Sequence, residues 1–337
     1  MFIKEAILKS NGLRYSISDE LAIRRVNLGD QFIYQSADGQ IIDDSDRIGW
    51  YEALAVPPVY RDVHYCSDNK GHLQASGIDT TGSTQYFYHP QWEVLREQYK
   101  FKRLLQIGER LPGIRRKVRE DLKGNRGDKY FVLAAITRVL DNTGLRIGNQ
   151  ISKEENNTYG VSTLEKEHLH IENSGDFTLE FTGKGGVEIE REIVNSGVKN
   201  VLETFYERPG DLLFQYQKEG AMHAISPAQI NYYISSISRM DMTAKEFRTW
   251  RASALFVKFW TRSGGDQKTL GDLLAEVCAL IGNTPATLRN SYIHPTLAEK
   301  KKDQNFQIND VKGIAKKGLR KAERVMLAML DETTIDK

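Results

Sequence analysis

The pattern of hydrophobic residues changes near residue 90, and this change limits the folds open to the chain. Residues 63–66 and 72–75 are short runs on either side of Asp68-Asn-Lys-Gly, and residues 32–35 and 40–42 flank a second turn sequence in the same way. Such pairs predict β-hairpins, and residues 85–89 predict a further strand. From Gln91 onward, apolar residues recur at helical spacing. We therefore expect a β-rich domain over residues 1–90 and a second domain over residues 91–337.

The second domain is expected to be mainly helical, with one β segment. Residues 92–107 and 129–140 have helical periodicity, and residues 316–330 predict a last helix. Thr243 and Glu246 form a capping-box pattern that opens a helix running to about Thr261. Three alternating runs, at residues 168–171, 177–181 and 187–193, predict an antiparallel sheet. The expected fold class is α+β, with a three-stranded antiparallel sheet in the helical domain.

Composition excludes several classes of protein. The chain is 40% hydrophobic and 27% charged, which is typical of a globular protein that is not embedded in a membrane. No apolar run approaches the roughly 20 residues of a membrane-spanning helix, and no secretion-signal pattern begins the sequence. Cys66 and Cys278 lie in unrelated contexts, which favours a reduced interior. We expect a cytoplasmic location and no contact with a membrane.

The charge is unevenly distributed. Residues 96–126 contain eleven Lys or Arg against four acidic residues, and residues 299–324 contain nine against four. Basic stretches of this kind suit a polyanion such as nucleic acid, although charged helical faces are usually only solvated. The acidic run Asp43-Asp-Ser-Asp is expected to be a solvated loop, because nothing nearby supplies further metal ligands.

Two candidate cations lie beside glycines. Arg146 follows a long apolar helix and stands between Gly144 and Gly148, and glycines allow a backbone to approach a ligand closely. Lys184 occupies the glycine-rich tip of the hairpin at residues 183–186, from which it can reach a bound polyanion. For each residue taken alone, an ordinary surface charge is the commoner explanation.

Further cations lie on the helix that Thr243 opens. Lys245, Arg248 and Arg251 share one face of this helix, and like charges at this spacing weaken a helix unless an anion lies beside them. A phosphate partner and a solvated face are both compatible with the pattern.

Asn283 and Tyr292 flank a short helix near the C-terminus. Thr284-Pro285 is an N-cap pair, and Tyr292 falls near the end of the helix that follows. They can be a turn residue and a helix-end residue. They can also be an amide donor to a phosphate oxygen and a phenol nucleophile that attacks phosphorus.

Six ordered blocks carry a family resemblance: Arg-Ile-Gly-Asn, Thr-Tyr-Gly-Val-Ser-Thr-Leu, Phe-Thr-Gly-Lys, Lys-Glu-Phe-Arg-Thr-Trp, Gly-Asn-Thr-Pro and Ser-Tyr-Ile-His-Pro. They resemble the catalytic blocks of the type IB DNA topoisomerases, in the bacterial and poxvirus-like branch. Residues 54–63, 71–77 and 86–90 also resemble the first domain of that branch, so the resemblance covers roughly residues 12–300. It implies the catalytic fold shared by these enzymes and the tyrosine recombinases.

The resemblance assigns roles to the candidate residues. Tyr292 matches the nucleophile that forms a 3′-phosphotyrosyl bond, and Arg146 and Arg248 match the two arginines that bind phosphate oxygens. Lys184 matches the general acid that protonates the departing 5′-oxygen. Asn283 stands where poxvirus and nuclear enzymes have histidine, and it can donate a hydrogen bond but cannot transfer a proton near neutral pH.

The implied enzyme relaxes supercoiled duplex DNA without ATP, metal or another cofactor. The sequence has no phosphate-binding Gly-x-x-x-x-Gly-Lys-Ser/Thr loop and no His-Glu-x-x-His motif. We expect a nucleoid-associated monomer that clamps double-stranded DNA, with residues 1–90 as the clamp domain. The DNA contacts expected outside the catalytic residues are Lys245, Arg251, Gln74, Tyr86 and Tyr88.

Two alternatives stay open at this point. A tyrosine recombinase or integrase shares the nucleophile and the arginines, but usually has His-x-x-Arg where this chain has Lys245-Glu-Phe-Arg. A β-rich first domain also argues against that class. The other alternative is a DNA-binding protein without catalysis on the same scaffold.

Overall fold

The computed structural model describes residues 3, 5–29, 31–262 and 264–331. Two units, residues 1–102 and 103–337, have mostly internal contacts. Each unit has its own hydrophobic core. The functional domains predicted at 1–90 and 91–337 stay a prediction.

A five-stranded antiparallel sheet with the order β2-β1-β3-β4-β5 forms the centre of the first unit. The helices and strands of this unit are α1 (Glu5–Ser10), β1 (Ile23–Asn27), β2 (Phe32–Gln35), α2 (Ser45–Ala53), β3 (Arg61–Tyr65), β4 (Leu73–Ile78) and β5 (Thr84–Tyr88). The buried ring of Tyr51 on α2 packs against the rings of Tyr34 on β2 and Tyr65 on β3. A β-rich N-terminal region is therefore confirmed.

Details of the first unit differ from the sequence prediction. The hairpin of β3 and β4 is confirmed, with Tyr65 opposite Ala75. The second strand predicted at residues 40–42 is reduced to a single β-bridge between Gln35 and Ile41. The strand β2 pairs instead with β1, which the sequence pattern did not indicate. The acidic run begins α2 and is not a loop, because Asp44 accepts hydrogen bonds from the backbone N–H groups of Asp46 and Arg47. Carboxylates favour the positive end of a helix, which accounts for their place here.

The second unit is mainly helical. After α3 (Pro90–Asp121), which spans the division between the units, come α4 (Lys129–Thr143), α5 (Gln150–Asn156), β6 (Leu169–Ile171), β7 (Phe177–Gly183), β8 (Val187–Glu192), α6 (Ser196–Tyr206), β9 (Gln215–Lys218), β10 (Ala221–Ala224), α7 (Pro227–Ser238), α8 (Ala244–Trp260), α9 (Leu270–Ile281), α10 (Pro285–Ser291), α11 (Pro295–Lys302) and α12 (Lys321–Leu330). The three-stranded sheet β6-β7-β8 is antiparallel. The predicted α+β class is confirmed, and the hairpin β9–β10 is an addition to it.

The helix α8 lies in the core of the second unit. It packs against α4, α7, α9 and α12, and the side chains of Trp250, Phe256 and Ser253 are fully buried. The helix begins where Glu246 accepts a hydrogen bond from the Thr243 backbone N–H at 2.7 Å, as the capping box predicts. A helix held on several sides can fix a side chain closely, which matters for Arg248. Among the described residues, no helix combines the length and apolarity needed to cross a bilayer.

Candidate active site

The side chain of Arg248 is buried in the second unit and held by two backbone carbonyls. It is 3% exposed, and its Nη1 and Nη2 donate to the carbonyls of Gly144 and Gly282 at 2.8 and 3.1 Å. Burial is the main cause that lowers the pKa of Arg248 to about 10, and the positive charge of Arg146 is the second. Tyr292 acts in the opposite direction and raises this pKa. The guanidinium therefore stays cationic at neutral pH. Its Nε makes no hydrogen bond to any residue that the structure describes, so donor capacity remains for a ligand.

The end of α4 brings Arg146 to the same place. The helix stops at Gly144 in the left-handed region (φ +72°), where a Cβ would lie 2.8 Å from Ile281 Cδ1. The left-handed backbone conformation therefore favours glycine here, and a Cβ would in addition displace the end of the Ile281 side chain. Two residues later, Arg146 Nη2 donates to Asn283 Oδ1 at 2.9 Å. This bond joins segments 137 residues apart in the sequence.

Asn283 has an unused donor inside the protein. Its Oδ1 accepts from Arg146, so its Nδ2 is the other end of the amide. This atom is buried and has no hydrogen-bond partner among the residues that the structure describes. A buried amide donor left unpaired typically costs about 1–3 kcal/mol. A phosphate oxygen would supply the missing acceptor.

Tyr292 ends α10, and its backbone is anchored to α8. Ser253 Oγ donates to the Tyr292 carbonyl at 2.9 Å and accepts from the His294 backbone N–H at 3.1 Å. The Tyr292 side chain is 8% exposed, and the guanidinium carbon of Arg248 lies 5.3 Å from the centre of its ring. The phenol is thus held beside the buried arginine.

Lys184 is exposed at the tip of the hairpin that joins β7 to β8. Gly185 and Gly186 both have positive φ, and the turn is closed by a backbone hydrogen bond from Gly186 to Gly183 at 3.1 Å. The lysine lines the same cleft as Arg146, Arg248 and Tyr292.

This cleft has a volume of about 480 Å³. Among the residues that the structure describes, four cationic side chains and no carboxylate line it, and the cations are Arg146, Lys184, Lys245 and Arg248. Such a surface repels cations and attracts a polyanion. Asn283 joins the cluster through its bond to Arg146, so the structure brings the five predicted catalytic residues together.

The two further DNA contacts predicted on α8, Lys245 and Arg251, have different surroundings. Lys245 is exposed and lines the cleft. Arg251 does not line it, and its Cγ lies 3.1 Å from the position that a Cβ on Gly144 would take. Burial, and next Arg320, lower the pKa of Arg251 to about 10, while Asp141 and Glu323 oppose that change. A DNA contact by Arg251 stays a prediction.

Three predicted contacts belong to the first unit. Gln74 is fully buried, its Oε1 accepts from Trp50 Nε1 at 2.6 Å, and its Nε2 donates to the carbonyls of Asp68 and Gly71. This geometry favours a structural role, because the donors and an acceptor site of the amide are already in use. Tyr86 is 49% exposed, while Tyr88 is half-buried. Contacts of Gln74, Tyr86 and Tyr88 with DNA stay predictions.

Two cleft residues were missed by the sequence analysis. Asn231 on α7 lines the cleft, and its Oδ1 accepts from the Ala244 backbone N–H at 3.1 Å. Thr243, the N-cap residue of α8, also lines the cleft. No local signal marks Asn231, because its proximity to Arg248 arises only when α7 packs on α8.

Among the described residues, Glu165, Glu167 and His168 form one group whose ligand atoms lie within 4.8 Å of one another. His168 Nδ1 accepts from the Glu165 backbone N–H at 2.9 Å, so a neutral ring carries its proton on Nε2. Glu165 is also paired with Lys153 at 2.5 Å. Two of the three groups are thus occupied by protein partners, and we assign no metal to them.

Comparison with known protein families decides the relationship. Residues 90–317 match the family model described as eukaryotic DNA topoisomerase I, catalytic core, and residues 31–79 match bacterial DNA topoisomerase IB, N-terminal domain. This chain belongs to the type IB DNA topoisomerases. It falls in the bacterial and poxvirus-like branch.

Named relatives agree with this assignment. The DNA topoisomerase 1B of Acanthamoeba polyphaga mimivirus is 28% identical over 241 residues, which are 70% of this chain and 71% of the viral protein. The DNA topoisomerase 1B of Vaccinia virus is 24% identical over 243 residues, covering 68% and 73%. The DNA topoisomerase 1 of Mycosarcoma maydis is 26% identical over 69% of this chain but only 24% of its own length.

A solved structure of the XerH site-specific recombinase bound to its difH substrate aligns over 54% of this chain and 47% of its own, with a TM-score of 0.37 and 18% identity.

The match to the catalytic core contains all five clustered residues of this type IB topoisomerase, and it ends before α12. DNA is the partner that the family implies. The protein is therefore a type IB isomerase, and the roles of its individual residues follow as proposals.

Proposed function

We propose that the protein relaxes supercoiled duplex DNA through a 3′-phosphotyrosyl intermediate. The observation that carries the proposal is the pairing of a buried phenol with a cleft that, within the described part of the chain, is lined by four cations and no carboxylate. In the cleavage step, Tyr292 Oη bonds to the scissile phosphorus and the bond to the 5′-oxygen breaks. The proton of the phenol leaves to solvent, and the departing oxygen takes a proton from Lys184. The broken strand then swivels, and the released 5′-hydroxyl reverses the reaction.

The two arginines and Asn283 stabilise the charge that develops on the phosphate. Within the described residues, Arg248 has unused N–H donors after its two carbonyl bonds, and Asn283 Nδ2 has no hydrogen-bond partner. Donors fixed before the reaction stabilise a pentacoordinate phosphorus without reorganisation. Loss of one such donor typically slows a reaction by about 10²–10³-fold.

Proton transfer to the leaving strand falls to Lys184. An amide cannot gain or lose a proton near neutral pH, so Asn283 serves only as a hydrogen-bond donor. Lys245 lies at the same cleft and is a second contact for phosphate or for the leaving group. A positioned acid typically contributes about 10²–10⁴-fold.

Relaxation needs no nucleotide on this mechanism. The cleavage step exchanges one phosphoester for another, so the energy of the broken bond is kept in the phosphotyrosyl link. Religation uses that link, and rotation is driven by the supercoiling of the DNA itself.

We further propose the finer organisation of the enzyme. Residues 1–90 serve as a clamp on DNA, residues 91–337 form the catalytic domain, and the monomer works in the cytoplasm associated with the nucleoid. Light scattering of the purified protein, alone and with a short duplex, tests the monomer. A dimer in both conditions contradicts it.

The decisive test is relaxation of a negatively supercoiled plasmid with EDTA and without ATP. We expect a ladder of topoisomers and a protein–DNA adduct that survives SDS. An unchanged topoisomer distribution at every protein concentration refutes the proposal. Recombinant products between defined sites, in place of relaxation, would favour the tyrosine recombinase alternative.

A further inference from the structure

A second cavity lies in the second unit and shares no lining residue with the cleft of Tyr292. Its volume is about 430 Å³. Side chains of α3, α4 and α8 line it, together with the first residues of α6 and the segment just before α12. Of the described residues that line it, four are arginines, Arg115, Arg119, Arg138 and Arg320, and one, Asp141, has a carboxylate.

Two of these arginines are neutralised within the protein. Arg115 pairs with Asp141 at 2.8 Å and with Glu323 at 2.7 Å. Arg320 pairs with the same carboxylates at 3.1 and 2.9 Å. The charges of two carboxylates therefore balance those of two guanidiniums, and this part of the cavity wall has no net charge.

The other two arginines have no carboxylate within ion-pair distance among the described residues. Arg119 is exposed, and Arg138 is half-buried, with one hydrogen bond from Nη1 to the Gly197 carbonyl at 3.3 Å. Burial, and next the positive charge of Arg119, lower the pKa of Arg138. Two like charges facing a cavity repel each other unless an anion lies between them.

The start of α6 adds to the positive potential. Asn195, Ser196 and Gly197 line the cavity, and Asn195 caps the helix by accepting from the Val198 backbone N–H. The first N–H groups of a helix lack intrahelical partners and attract anions. Arg138 Nη1 lies 3.1 Å from the position that a Cβ on Gly197 would take, so the guanidinium of Arg138 lies directly against the start of this helix.

We infer that this cavity is a second phosphate-binding site, in which Arg119 and Arg138 bind one tetrahedral phosphate group at the start of α6. Guanidinium groups match phosphate oxygens in charge and geometry. The phosphate comes either from the DNA backbone or from a free polyphosphate, and both present the same chemistry. This inference goes beyond the proposed cleavage at Tyr292 and does not depend on it.

The test uses the full-length protein and two variants on the cavity wall. One is Arg119→Gln, and the other is Arg119→Gln with Arg138→Gln. The control is Arg116→Gln, which removes the same charge from an exposed position on α3 that does not line the cavity. Urea unfolding of each variant establishes that it is folded, and Arg119→Gln keeps the test valid if the double variant is not.

Binding of inorganic triphosphate, measured by calorimetry without DNA, tests whether the site takes a free polyphosphate. We expect binding to the wild type and to Arg116→Gln, with at least a tenfold weaker affinity in the cavity variants. The DNA source is tested by the salt dependence of duplex binding. Each lost phosphate contact reduces the magnitude of the slope of log K against log salt by about 0.9, so the cavity variants, which lose one such contact, should reduce it by about 0.9.

Either effect confined to the cavity variants supports the site and identifies its source. Absence of both effects overturns the inference, as does an equal effect in Arg116→Gln, which would indicate only a general loss of charge. Plasmid relaxation is measured in parallel. Because triphosphate binding needs no cleavage, failure of relaxation and failure of this site are separate results.

Discussion

The guanidinium carbon of Arg248 lies 5.3 Å from the centre of the Tyr292 ring. The two residues come from different helices, α8 and the end of α10, and Ser253 links those segments through the Tyr292 carbonyl. A fixed cation beside the phenol favours development of negative charge on its oxygen and on a nearby phosphate.

Tyr292→Phe removes only the nucleophilic oxygen and leaves the packed ring. We expect complete loss of the SDS-resistant adduct and of plasmid relaxation, with DNA affinity within about threefold of the wild type. Filter binding and adduct gels measure the two properties. Tyr206→Phe is the matched control, since that ring is 41% exposed and lies outside the cleft. An adduct formed by the Phe variant would remove Tyr292 as the nucleophile.

Arg248→Lys keeps the charge but loses the planar fork that bridges the carbonyls of Gly144 and Gly282. We expect single-turnover cleavage to slow by about 10²–10³-fold, with little change in DNA binding. A nicked suicide substrate reports cleavage without religation. If the lysine variant cleaves at the wild-type rate, the position requires charge alone, and the donor geometry proposed here is wrong.

Asn283→Asp separates two functions of this side chain. The carboxylate can still accept from Arg146, but it replaces the free Nδ2 donor with an oxygen that repels phosphate. We therefore expect cleavage by the Asp variant to be at least as slow as cleavage by Asn283→Ala. A faster Asp variant would mean that anchoring Arg146 matters more than donation to phosphate. Both rates come from the same single-turnover assay.

Glu323→Ala tests the buried charge network that holds α12. Glu323 is 0% exposed and accepts from Arg115, from Arg320 and from Trp250 Nε1 at 3.0 Å. Removing one member of a buried ionic cluster leaves charges unpaired, so we expect a loss of about 3–5 kcal/mol in the free energy of unfolding. Urea unfolding at pH 7 measures it. The exposed Glu299→Ala should change stability by no more than about 0.5 kcal/mol.

The Asp141 carboxyl predicts a specific acid dependence of stability. Burial alone would raise its pKa, but Arg320 and Arg115 outweigh burial and hold the pKa at about 2. A carboxyl whose pKa is lower in the folded than in the unfolded state stabilises the protein above the unfolded value. This contribution, about 2 kcal/mol, is lost as the pH falls from about 4 to about 2.

Unfolding free energies of the wild type and Asp141→Asn, measured across this pH range, test the assignment. The difference between the two proteins should be largest at neutral pH and should shrink on acidification. A difference that stays constant down to pH 2 would show that Asp141 is not the titrating group.

Local pattern was sufficient to predict several elements and the candidate residues. The capping box at Thr243 and Glu246 determines where α8 begins, and glycine-rich turns determine the hairpin that carries Lys184. These signals depend on residues that are close together in the chain, so they can be recognised from the sequence alone. The strand β1 and the helix α2 were missed, because their short and mixed patterns are stabilised mainly by tertiary neighbours.

The sequence by itself determined which groups are available for chemistry: a phenol, two arginines, a lysine and an amide in ordered blocks. Tertiary structure decided which of them meet. Arg248 and Arg251 look equivalent three residues apart on α8, yet one lies beside Tyr292 and the other beside the charges of Asp141 and Glu323. Likewise, Gln74 looks available in the sequence but is buried with its hydrogen bonds made. The reason is physical: the charge of a side chain is local, whereas its partners and its exposure depend on segments far away in the chain.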